Sequence, residues 1–161
     1  MAIPARNANP QAILSSPRTF FATTKTIQGR RLLQSERSAN LLIDVLRSYV
    51  AAKKFTIHDF VVMPDHLHVL MTLDDTMSIE KAMQLIKGGF SYRFRKELGY
   101  TGELWQRGFS EVRVDDRTSF LAHRDYIYRN PVEAGLVECS ENFPYCSLYL
   151  KRKKAAGAKA Q

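Results

Sequence analysis

The chain has 161 residues, 45% of them hydrophobic, enough for one well-filled core and too few for two. Its formal net charge is +8, but residues 151–161 carry Lys151, Arg152, Lys153, Lys154 and Lys159 with no acid, so the remainder carries 19 minus 16, or +3. No apolar run reaches membrane-span length, the first residues lack the charged-then-apolar order of a signal peptide, and two cysteines build neither a disulfide framework nor a zinc site; no membrane association and a cytoplasmic location are expected.

Residues 1–17 mix Pro, Asn and Ser without periodicity and are expected to be disordered, with order beginning near Arg18 in the β-rich run RTFFATTKT. From Ser35, Leu41, Leu42, Val45, Leu46, Tyr49 and Val50 recur at helical spacing, which predicts an amphipathic helix ending near Lys53. FTIHDFVVM and HLHVLMTL read as two antiparallel strands joined tightly at Pro64-Asp65. Ser78 can cap a second long helix striped by Ile79, Met83, Ile86, Phe90 and Phe94, in which Gly88-Gly89 signals a kink or a close backbone approach. ELWQRGFSEVRV reads as a further strand, with Trp105 and Phe109 on its core face. A last helix is expected from about Arg117 to Arg129, stopped by Pro131. Residues 151–161 read as a basic, disordered tail. The expected order is thus β-α-β-β-α-β-α, an α+β arrangement of an antiparallel sheet crossed by helices on one face, over a domain of residues 18–150.

The hairpin poses a chemical question, because His66 and His68 share a strand face with Leu70 and Thr72, while Leu67, Val69, Met71 and Leu73 fill the other. Their Cα atoms would lie about 6.5 Å apart, close enough for two imidazoles to converge on one cation. Two half-exposed histidines on a solvated face would satisfy the same H-x-H pattern.

The last helix offers a companion group. At about 100° per residue, Phe120, Leu121, Ile127 and Tyr128 gather toward the core, whereas Tyr126 falls opposite with Asn130, His123 and Ser119. A phenol needs help from a cation or a base to act as a nucleophile at neutral pH. A divalent ion on His66, His68 and the Asn130 carbonyl oxygen would polarise a phosphate for attack by Tyr126. A surface tyrosine near a helix end is the plain alternative.

Together, PDHLHVLM after a strand, IKGGFSYRFRKE on the next helix, LWQRGFSEVRV, and YIYRNPVEAGLV resemble the single-tyrosine HUH transposases, most closely their REP-associated tyrosine transposases, in the same order over roughly residues 18–150. The resemblance implies a ferredoxin-like fold and a metal-dependent nuclease and strand-transferase acting on single-stranded DNA at hairpin repeats. It implies His66 and His68 as ligands of a divalent ion, Mg or Mn, Asn130 as a third contact, and Tyr126 as the nucleophile that forms a 5′-phosphotyrosine. It assigns no general base, for which His123 is a candidate. A monomer and a homodimer both fit, since insertion-sequence relatives exchange the tyrosine helix between subunits and the REP-associated group can act singly.

FSYRFRKELGY interleaves aromatic and basic groups, so Lys87, Arg93, Lys96 and Arg107 are candidate phosphate contacts and Tyr92 a candidate stacking platform for single-stranded or hairpin DNA of palindromic repeats. The same cations would also serve merely to solvate a helix. Two further readings stay open: a non-catalytic hairpin-DNA-binding protein of the same fold, and a metal-dependent phosphoesterase acting on small nucleotides.

Overall fold

A computed structural model of the chain describes residues 17–159; the expectation of disorder for the first segment falls almost wholly on residues 1–16, outside the described residues. The elements are β1 (Arg18–Lys25), α1 (Glu36–Ala51), β2 (Thr56–Met63), β3 (His66–Leu73), α2 (Ile79–Leu98), β4 (Ser110–Val114), α3 (Arg117–Glu133) and α4 (Ser147–Lys159). The strands form one sheet in the order β2-β3-β1-β4, with all three neighbouring pairs antiparallel. This is the expected ferredoxin-like arrangement, with β3 and β1 inside and β2 and β4 at the edges.

Strand alternation divides the sheet into two packed faces. Phe20 and Ala22 of β1 and Leu67, Val69, Met71 and Leu73 of β3 join Leu42, Leu46, Met83, Ile86 and Phe90 in a large core beneath α1 and α2. The helices begin where the sequence says: the Ser35 side chain accepts from the Ser38 N–H, and that of Ser78 from the Lys81 N–H. The Gly pair marks close approach, since a Cβ on Gly89 would lie 2.5 Å from the Tyr49 hydroxyl of α1 whereas one on Gly88 would meet open space.

Helices do not stay on one face, contrary to expectation. α3 crosses the other side, where Val61, Met63, Leu70 and Val114 pack with Ile127, Phe143 and Cys146 in a smaller core. Tyr145 and Cys146 then run beside β2, with the Val62 N–H donating to the Tyr145 carbonyl at 2.8 Å, so this edge of the sheet is partly covered.

Three further sequence expectations need correction. Pro131 does not stop α3, because it removes only one N–H; the helix runs to Glu133 and ends where Gly135 takes φ +74° and the Leu136 N–H donates to the Pro131 carbonyl at 2.9 Å. The fourth strand is shorter than read: only an isolated bridge from Trp105 to Thr26 precedes Ser110. The basic tail is helical through Lys159, anchored at its start by bonds from Ser147 and Lys151 to Asp59 of β2. Among the described residues, no helix is long and apolar enough to cross a membrane.

Candidate active site

Strand register sets the site. On the α3 side of the sheet, Thr23 lies opposite His68 and Lys25 opposite His66, while Phe21 stands one alternation along β1. The histidine rings meet edge to face at 75°, centroids 4.6 Å apart. His68 is 5% exposed and His66 is half-buried.

Each ring is held by one nitrogen. His66 Nδ1 donates to the Asp65 carboxylate at 2.7 Å, and His68 Nδ1 shares a 2.7 Å hydrogen bond with the Thr23 hydroxyl. His68 Nε2 is fully buried and without a hydrogen-bond partner, a costly state for a polar atom unless a ligand completes it. Burial, with His66 and Lys25 adding positive potential, lowers the His68 pKa to about 3, so the imidazole is neutral and carries a lone pair. A fixed Nδ1 and a vacant Nε2 are what a metal-binding histidine presents. Among the described residues no three His, Cys, Asp or Glu side chains gather into a metal-binding group. Asn130 lies on α3, half-buried and one turn beyond Tyr126 on the same face.

Tyr126 packs edge-on against His68, ring centroids 5.2 Å apart, and edge-on against Phe21 at 5.9 Å. It is 39% exposed, among the more exposed large apolar side chains described. Phe21 also stacks on His68 at 5.3 Å and contacts His123 at 4.8 Å, so one aromatic ring on an inner strand braces all three side chains. His123 Nδ1 donates to the Ser119 carbonyl at 2.8 Å.

Tyr128, two residues on, behaves differently. Its hydroxyl donates to Asp59 at 2.6 Å, and burial together with that carboxylate raises its pKa well above the ordinary phenol value. It is a fixed donor, and the two tyrosines divide as the helical wheel suggests.

The residues proposed for DNA contact lie elsewhere. α2 covers the sheet face opposite the histidines, and there Tyr92 is 65% exposed, with the Lys96 ammonium 5.6 Å from its ring centre. Gly88, Ser91, Tyr92, Arg95 and Lys96 line a shallow hollow. Arg93 is paired with Glu97 at 2.8 Å. Lys87 is turned inward, donating to the Gln106 and Gly108 carbonyls at 3.0 and 2.8 Å, so it joins α2 to the segment before β4. Arg107 is exposed in that segment.

Phe21, Thr23, Lys25 and Asp65 were not singled out from sequence. The alternation of RTFFATTK carries a signal for the first three, but only pairing with β3 shows which alternate set meets the histidines.

The family pattern described as "Transposase IS200 like" matches residues 23–130, a span that contains both histidines, Tyr126 and Asn130. The chain is 30% identical over 137 residues to a REP-associated tyrosine transposase of Escherichia coli K12, covering 81% of this chain and 76% of that protein. It is likewise 30% identical over 137 residues to a Haemophilus influenzae protein described as such a transposase, covering 73% of this chain and 77% of the relative. Its fold superposes on that of a REP-associated tyrosine transposase bound to a REP hairpin with a TM-score of 0.67 at 27% identity, covering 87% of this chain and 81% of that one. A transposase structure from Deinococcus radiodurans shares the fold, with a TM-score of 0.55 at 17% identity, over 75% of this chain and 95% of the other. With a sheet that sets two half-bonded imidazoles beside an open tyrosine and a family match across most of the domain, the chain belongs to the REP-associated tyrosine transposases, single-tyrosine HUH enzymes of the IS200-like family.

Proposed function

We propose that this transposase cleaves and rejoins single-stranded DNA at or beside hairpin repeats, using Tyr126 as its nucleophile, and that it does so in the cytoplasm. The observation that carries the reading is the contact of Tyr126 with His68, whose buried Nε2 has no partner. His66, His68 and Asn130 would hold a divalent ion, Mg or Mn, which supplies Lewis-acid polarisation of the scissile phosphate when bound.

The chain's own groups supply the rest. The Tyr126 oxygen attacks phosphorus and forms a phosphotyrosine at the new 5′ end, the bond to the 3′ oxygen breaks, and the phenolic proton leaves as the 3′-hydroxyl gains one. Because one phosphoester replaces another, the bond is conserved and the 3′-hydroxyl of a second end can reverse the step without ATP. Thr23 and Asp65 orient the two imidazoles, and Phe21 keeps Tyr126 against His68. Hairpin DNA as the substrate is supported by the related structure with a bound REP hairpin. The exposed Tyr92 and Lys96 suit a base and a phosphate of such DNA, on the far side of the sheet from the cleavage chemistry.

The test is to incubate the protein with a labelled single-stranded hairpin oligonucleotide taken from repeats flanking its gene, with Mn²⁺ or Mg²⁺, and to resolve the products on a denaturing gel. A covalent protein–DNA band is expected in the wild type, lost in Tyr126→Phe and His66→Ala while hairpin binding persists. A band retained in Tyr126→Phe removes that residue from its role; binding without a band in either metal favours a non-catalytic hairpin binder of the same fold.

A further inference from the structure

Asp59 stands out as a charged side chain only 2% exposed in a strand edge, and the proposed cleavage does not use it. Its placement depends on a β-bulge. The register of β2 with β3 slips between Ile57, opposite Met71, and Asp59, opposite Leu70, leaving His58 as the extra residue. Met71 belongs to the core under α1 and α2, and Leu70 to the core under α3. The bulge therefore turns Asp59 to the α3 side, which unbroken alternation from Ile57 would have denied it.

There a single carboxylate oxygen gathers three donors from two helices: the Tyr128 hydroxyl of α3 at 2.6 Å, the Ser147 hydroxyl at 2.7 Å and the Lys151 ammonium at 2.9 Å, both of α4. Lys151 also donates to the His58 carbonyl at 2.8 Å, so the bulge and the base of α4 are tied together. Tyr128 is two residues from Tyr126, and on a helix residues that close point in well-separated directions. Anchoring Tyr128 to the sheet thus fixes the rotation of α3 about its axis, and that rotation decides whether Tyr126 meets His68.

We propose that Asp59 and Tyr128 are positioning residues for cleavage: their buried hydrogen bond sets the rotation of α3 that presents Tyr126 to the histidine pair, and Ser147 and Lys151 brace the same carboxylate from α4. This rests on the assignment of Tyr126 as nucleophile. A mere stability contact would lower adduct formation only in proportion to the fraction unfolded. A positioning contact slows the chemical step in fully folded protein and leaves hairpin affinity alone.

Three variants separate these cases. Tyr128→Phe removes only the hydroxyl; Asp59→Val removes the acceptor from a strand-compatible side chain; Asp59→Asn keeps an oxygen where the three donors converge. Single-turnover adduct formation on the hairpin oligonucleotide is measured beside hairpin Kd, below the melting temperature of each variant. The expected result is a rate lower by about tenfold or more in Tyr128→Phe and Asp59→Val, with Kd within about twofold of wild type. Asp59→Asn should recover most of the rate, and the double variant Tyr128→Phe with Asp59→Val should be no slower than the slower single, because both break one link.

A rate in Tyr128→Phe within about twofold of wild type, or a loss that tracks hairpin Kd, overturns the inference. Should the wild type form no adduct at all, the nucleophile assignment fails, and the positioning claim is then decided by amide hydrogen exchange. Tyr128→Phe must speed exchange across residues 124–130 relative to α1, and unchanged exchange there overturns it as well.

Discussion

Replacing Thr23 by Val tests the claim that the sheet holds His68 ready for a metal ion. Valine keeps the β-branched shape and suits an inner strand, so the change reduces to a hydroxyl exchanged for a methyl at a position 8% exposed. The lost partner is the 2.7 Å bond to His68 Nδ1, on a ring whose Nε2 already has none. In the metal-free protein a second unsatisfied ring nitrogen costs about 1–3 kcal/mol of stability. With the tautomer and ring angle released, Mn²⁺ affinity should fall by about 10- to 100-fold, or about 1.4–2.7 kcal/mol. Calorimetric Mn²⁺ titration of the folded protein reads the second quantity and urea unfolding with EDTA the first. Thr23→Ser should bind like wild type, and His68→Ala should not bind measurably. Asp65→Asn should cost less than Thr23→Val, because the Asp65 side chain is 44% exposed and asparagine retains an acceptor oxygen. If Thr23→Val binds Mn²⁺ within about twofold of wild type while His68→Ala loses it, the hydroxyl does not prepare the ligand and the reasoning fails.

The same histidine governs acid sensitivity. The unfolded chain takes up a proton at His68 as pH falls through 6.5, whereas the folded chain resists until about 3. The metal-free protein should therefore keep this contribution in full above pH 6.5 and lose it progressively toward pH 3, by about 1.4 kcal/mol per pH unit at most. Urea melts across that window should show a shallower slope in His68→Asn, and an equal slope would refute the assignment. Lys87→Met should destabilise the fold by about 1–2 kcal/mol, because it abandons the carbonyls of Gln106 and Gly108, and should leave the salt dependence of hairpin binding unchanged. A slope reduced by about one in log–log form would instead make Lys87 a phosphate contact.

What was legible in the sequence follows from local periodicity. Leu41 to Val50 and Ile79 to Phe94 repeat at helical spacing, Ser78 caps, and the H-x-H run alternates, so both helices and the face of the histidines follow without tertiary information. The separation of Tyr126 from Tyr128 follows from rotation about α3 alone. The features that escaped depend on partners distant in the chain. α4 has no apolar stripe and is anchored by bonds to Asp59, 88 and 92 residues away in sequence. The supposed strand before Ser110 loses pairing where Lys87 takes the carbonyls of residues 106 and 108. Thr23 becomes a partner of His68 only through cross-strand register, and the bulge that turns Asp59 leaves no mark in FTIHDFVVM beyond a carboxylate in an apolar run.

The unequal cores on the two sheet faces give the molecule a hard half and a soft half. His66 and His68 lie on β3, hydrogen-bonded on both sides and backed by the large core, whereas Tyr126 rides on a helix held by a much smaller one. Opening α3 gives up the smaller core and the Asp59–Tyr128 bond but breaks no strand pairing, so it demands less free energy than opening the sheet. A DNA end joined to Tyr126, as proposed above, would thus be tethered to an element that opens more readily than the strand carrying the histidines, which is the mechanical condition for carrying a strand from one joint to another.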